Sequence, residues 1–127
     1  MQSSYNILLA LSELFQGKNL PVDYVDGAPK GLQSEFIDTN TINNPNGYLQ
    51  NGFGNVNIHL PKLTGDLHNG NRFKELTDII IPLLDDVTQV TDNGTFHFQI
   101  YDDKGTFEDP DRDGMSYYNI RFEFQTL

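Results

Sequence analysis

The chain contains no cysteine and no tryptophan. Without cysteine there is no disulfide framework, no thiolate zinc site and no thiol nucleophile, and the composition suits a reducing compartment. Basic residues are scarce: eight Lys and Arg stand against 18 Asp and Glu, for a net charge of −10. Lys18, Lys30, Lys62, Arg72, Lys74, Lys104, Arg112 and Arg121 are scattered, so no basic patch forms from sequence neighbours. That disfavours binding to nucleic-acid backbones and to anionic membranes. Long apolar runs are missing too. Ile7 to Leu11 and Ile79 to Leu84, the second interrupted by Pro82, fall far short of the roughly 18 to 20 residues of a membrane-spanning helix, so a soluble protein is expected. The first residues lack a basic region and carry Glu13 within their apolar stretch, and read as a domain helix rather than a secretion signal.

Catalytic signatures are also absent. Serines at positions 3, 4, 12, 34 and 116 stand outside any nucleophile-elbow context, and no glycine loop leads to a Lys followed by Ser or Thr. Gly52-Phe53-Gly54 lacks a third glycine and opens no helix. The expectation is a protein that is not an enzyme and needs no cofactor.

What is present describes one α+β domain over residues 1–127, a length that can bury a real core. Phe73, Leu76, Ile80 and Leu83 recur at helical spacing, widened by Ile79, Ile81 and Leu84, and predict a central helix over about 71–84. Asn69 or Asn71 is placed to cap it, and Pro82 with Asp85 and Asp86 predicts a kink or an early end near Ile81. Ile7, Leu8, Leu11, Leu14 and Phe15 predict an amphipathic N-terminal helix over about 4–16, capped by Ser3 or Ser4 and closed at Gly17. Period-two alternation marks Val56-Ile58-Leu60, Phe96-Phe98-Ile100 and Tyr118-Ile120-Phe122-Phe124 as half-buried strands. Val22 to Tyr24 and Gln33 to Asp38, around Asp26-Gly27, suggest a hairpin; Thr88 to Val90 suggests a further strand. The predicted fold is an antiparallel sheet of about four to five strands with one main helix packed on a face, an N-terminal helix, and a C-terminal hairpin over about 95–124.

Residues 39–55, with six asparagines, three glycines and Pro45, predict a long loop. Its Tyr48, Leu49 and Phe53, with Phe107 from the acidic connection of the last hairpin, are the candidate partner-contacting residues; packing on the domain's own surface is the alternative. Asp109, Asp111, Asp113 and Gly114 occupy the first, third, fifth and sixth places of an EF-hand-like calcium loop, but Ile120 stands where a bidentate glutamate is needed and the flanks read as strands. An acidic turn is the simpler account of Asp109–Gly114, with a small calcium- or ligand-binding module as the alternative function. His59, His68 and His97 have no ligand spacing and read as ordinary exposed histidines, the first and last on the polar register of their strands.

The stretch Gly54 to Leu60, the helix Arg72 to Leu84 and the closing strand Tyr117 to Phe124, with its YxxRFEF pattern from Tyr118, carry a resemblance. In this order of elements the chain resembles the tail-completion or tail-terminator proteins of tailed phages and prophages. The resemblance implies a structural protein that assembles with itself as a ring, often a hexamer. It would contact the tail tube and head-completion proteins, first in the host cytoplasm and then in the neck of the virion. No catalytic residue carries over. An acidic lumen would let DNA pass without adhering.

Overall fold

The computed structural model describes residues 1–46 and 50–127. It contains α1 (Ser4–Phe15), β1 (Asp23–Val25), β2 (Phe36–Asn43), β3 (Asn51–Pro61), α2 (Gly70–Leu84), β4 (Val87–Thr91), β5 (Gly94–Glu108) and β6 (Met115–Thr126). All six strands join one sheet in the order β1-β2-β3-β6-β5-β4, curved into a half-barrel with two helices. Among the described residues only the β1–β2 pairing is parallel.

The expected antiparallel sheet of four to five strands with one main helix is therefore wrong on three counts. First, residues 22–38 do not form a hairpin. Asp23 pairs with Ile37 and Val25 with Thr39 in parallel register, and the chain crosses between them through left-handed turns at Asp26, Gly27 and Gly31. Second, the strands are longer than alternation of apolar residues reveals. Thr39–Asn43 and Asn51–Asn55 are strand, not loop, because asparagine side chains pair across neighbouring strands there. Residues 102–108 likewise extend β5, through irregularities at Ile100/Asp102 and Asp103/Gly105 that a period-two reading cannot follow.

Third, no single helix dominates. Ser3 caps α1 by accepting the Asn6 amide at 3.1 Å, and Gly17 turns the chain left-handed after it. Asn69 caps α2 through the Arg72 amide, and α2 continues through Pro82 to Leu84. Pro82 withdraws the amide that would reach Asp78 on the exposed side, so its cost falls where water can replace the bond. Ile7, Leu8, Leu11 and Phe15 of α1 and Phe73, Leu76, Ile80 and Leu84 of α2 bury together against one face of the sheet. Val56, Ile58 and Leu60 of β3, Phe96 and Phe98 of β5, and Ile120, Phe122 and Phe124 of β6 complete that core. Arg72 ties α2 to the β1–β2 connection with a two-bond fork onto Glu35, at 3.0 and 2.7 Å, and also meets Glu75.

Tyr118 lies at the margin of the core against Phe73, 5.8 Å between centroids. Burial, followed by a hydrogen bond to Asp103 and its charge, pushes the phenol up to about 12. An ultraviolet titration should therefore show Tyr118 ionising late, at pH about 12, with Tyr5 also held up by its hydrogen bond to Asp26. The folded state favours the neutral phenol, so this contribution to stability is complete below pH about 10 and fades as pH rises toward 12. Tyr118→Phe should remove the late-titrating step, and its persistence would refute the assignment.

Candidate functional site

The sheet face opposite the helices is polar, and odd-numbered residues of β3 and β6 with even-numbered residues of β2 line it. In register, Asp38 faces Asn57 and Asn57 faces Asn119, while Asn40 faces Asn55 and Asn55 faces Arg121. The amides form a directed chain. Asn119 donates to Asn57 at 2.7 Å and to Asn55 at 3.1 Å; Asn57 donates to Asp38 at 2.9 Å and Asn55 to Asn40 at 3.0 Å. This is why an asparagine-rich stretch is strand here: the side chains bond across the ladder instead of bending their own backbone.

His59 anchors one end of that face. Its Nε2 lies 2.7 Å from Asp38 Oδ2 and its Nδ1 2.8 Å from Asp109 Oδ2. A neutral imidazole carries one N–H, so both contacts are hydrogen bonds only when each ring nitrogen bears a proton or one carboxyl is protonated. The ring stacks on Phe36 at 4.2 Å, with planes 8° apart, and on Tyr117 at 5.6 Å. Tyr117 in turn stacks on Phe107, and Tyr24 meets the Phe36 edge, giving a row of five rings across the sheet. The expectation of an ordinary exposed histidine fails: His59 is 6% exposed. Its register on the outer face is as read, but the Asp109–Gly114 tip folds over that face, held by the Lys62 amide donating to the Gly114 carbonyl at 2.9 Å. The only signals in the sequence were Asp38 and Asp109 themselves, which nothing local links to position 59.

The same fold-over decides the acidic tip. Asp109 turns its carboxylate inward to His59, accepts the Asp111 amide at 3.0 Å and lies 3.9 Å from Arg112. Asp111 and Asp113 point to solvent. Among the described residues, no three His, Asp or Glu side chains converge as metal ligands. His97 sits apart, 2.7 Å from Asp86, and His68 is exposed.

Beside His59 lies an open groove of about 900 Å³. Asn55, Asn57 and Asn119 form its floor, the Gly27–Gly31 turn and Arg112 one wall, and Lys104 with Phe107 another. Arg112 is fixed there, donating to the Pro29 carbonyl at 3.1 Å with its guanidinium 4.7 Å over the Phe36 ring. Next to it Phe53 and Tyr101 pack at 4.7 Å, and with Ile42 they form an apolar patch bordered by Arg121.

Of the candidate partner-contacting residues, Phe53 is half-buried in that patch and Phe107 is exposed on the groove rim. Tyr48 and Leu49 lie outside the described residues. Ile42, Val90 and Tyr101 are 50%, 71% and 59% exposed and are apolar positions that the sequence reading did not single out.

No helix among the described residues is long and apolar enough to cross a membrane. No protein-family model matches the chain, and no curated protein matches it. A solved structure that bears only a sequence identifier is similar in fold, with a TM-score of 0.60 and 11% identity over 99% of this chain and 97% of its own.

Proposed function

We propose that this chain is a structural assembly subunit of the tail-terminator or tail-completion kind found in tailed phages and prophages. It forms a ring with copies of itself at the head–tail junction, meets the tail tube and head-completion proteins, and works by contact without chemistry. What favours self-assembly is the uncovered edge of the sheet. β4 pairs with β5 only from Gly94 to Phe98, so β5 from Gln99 to Glu108 has no outer neighbour among the described residues. Such an edge offers unpaired backbone donors and acceptors to another chain. Val90, Tyr101 and Phe107 supply exposed apolar surface on and beside it.

The charged groups offer less to a catalytic reading. Asp38, His59 and Asp109 satisfy one another within a stacked, buried row, which suits a tie between the tip and the sheet. A calcium-binding module built on Asp109–Gly114 is disfavoured by the same tie, since the first ligand of the loop already faces His59.

Native mass measurement and light scattering over a range of concentrations test the proposal. A closed ring of identical subunits is the expected result. A strict monomer at high concentration would overturn it.

A further inference from the structure

The few basic side chains are unevenly placed. Four of the eight, Lys30, Lys104, Arg112 and Arg121, line the groove, with only three of the 18 carboxylates, Asp38, Asp109 and Asp111. Two of those three are committed to His59. Elsewhere the cations are mostly engaged: Lys62 lies between Asp66 and Glu108, Arg72 between Glu35 and Glu75, and Lys74 beside Asp78. Within the groove, Lys104 meets Asp102 at 2.9 Å, but Lys30 and Arg121 have no ion-pair partner among the described residues. Arg121 stands mid-sheet between Asn55 and Asp102 in register, and its Nε is buried with no hydrogen-bond partner. Arg112 Nε in the same groove is likewise buried and unbonded, and an unmet guanidinium donor marks a place where an acceptor is missing.

The acceptors lie at the far edge of the same sheet. β4 is its outermost strand. It is bracketed by Asp85 and Asp86 before Val87 and by Asp92 after Thr91, all exposed, with Val90 exposed between them. Asp86 shares one oxygen with His97, while no ion pair engages Asp85 or Asp92 among the described residues.

We infer that the groove receives the acid-bracketed β4 edge of a second copy of this chain, carboxylates seated against Lys30, Lys104 and Arg121. This rests on the self-assembly reading above and names its contact. Groove and strand are different surfaces, so the contact is head-to-tail, the kind that closes a ring when the rotation permits. The acidic remainder of the surface repels neighbouring copies, which leaves the groove as the place where approach is electrostatically favourable.

A charge exchange tests it. One variant carries Lys30→Glu and Arg121→Glu, and another carries Asp85→Lys and Asp92→Lys. Sedimentation of each alone should show self-association weakened at least about tenfold, while an equimolar mixture recovers it. Lys18→Glu, at an exposed position that does not line the groove, should assemble like the unaltered protein. Circular dichroism establishes that each variant is folded; were one unfolded, the salt dependence of the unaltered protein decides, since assembly through this contact must weaken as salt rises. A groove variant that assembles normally, a mixture that fails to recover, or salt-insensitive assembly would each overturn the contact while leaving the ring intact. An unaltered protein that never assembles would instead remove the ring, and the contact with it.

Discussion

Replacing His59 by alanine is expected to lower the unfolding free energy by about 3–5 kcal/mol, the range for removing one member of a buried charged cluster. The loss of stacking alone would not reach that size, since an aromatic pair contributes about 0.5–1.5 kcal/mol beyond its buried area. The larger effect comes from what remains. Asp109, with 2% of its side chain exposed, and Asp38, with 15%, would each lose the imidazole partner of one carboxylate oxygen and keep a single donor, the Asp111 amide and the Asn57 side chain respectively. For a chain of this length the loss corresponds to a melting temperature lower by roughly 10–20 °C. Asp109→Asn should cost less, because the amide keeps its volume and can still accept from the ring. Urea denaturation of the three proteins checks the order, with an unchanged slope showing that stability alone has moved. A loss below about 1 kcal/mol for His59→Ala would place the histidine among surface ion pairs and refute its role as the tie between tip and sheet.

Phe122→Ala should have a comparable effect, about 3–5 kcal/mol, because the ring is fully buried and part of the cavity would persist. Its value is sharpest beside Gly54. The two are paired in register across β3 and β6, and the outer edge of the ring lies over the glycine. A methyl group built at Gly54 would stand 2.5 Å from the Asn40 carbonyl oxygen and would collide with the Phe122 ring edge. Gly54→Ala alone should therefore destabilise by about 1–3 kcal/mol through overpacking, although alanine is the better residue for a strand by conformational entropy. In the double variant the alanine enters the space the ring has left, and the total should fall short of the sum by about 1 kcal/mol or more. Only the conflict with Asn40 would remain. Strict additivity would show that the glycine is needed for its backbone and not for the ring above it. Gly52 under Phe124 repeats the arrangement two pairs along, on the same face.

These two sites show where the sequence could be read and where it could not. Helical spacing placed both helices and their caps, because a 3.6-residue period and an Asn or Ser ahead of it are local properties. Alternation placed the middles of β3, β5 and β6 for the same reason. It failed in β2 and at the ends of β3 and β5, where Asn40, Asn51 and Asn55 carry turn residues into a ladder and where bulges at Ile100 and Asp103 shift the period. It also misread Gly52 and Gly54 as loop residues, since their purpose is to clear room for rings about 70 positions away. The parallel β1–β2 pair depends on a crossover whose path no dipeptide specifies. The groove was hidden most completely. Asp38, His59, Asp109 and Arg121 come from four separate segments, and charge counted along the chain averages away a concentration that exists only in space.

The position of β6 bears on how the protein is made. It is the last strand in the sequence, yet it lies between β3 and β5 in the middle of the sheet. On the ribosome, five strands and both helices emerge before the segment that joins them, leaving β3 and β5 with open inner margins and Phe98 without its aromatic neighbour Phe122. The two halves cannot close until β6 has been made, and every nascent chain passes through an interval in which a foreign strand could take the vacant place. High-level synthesis should therefore be limited by insertion of this keystone more than by the stability of the finished molecule, and slower elongation early in the message would bring no relief.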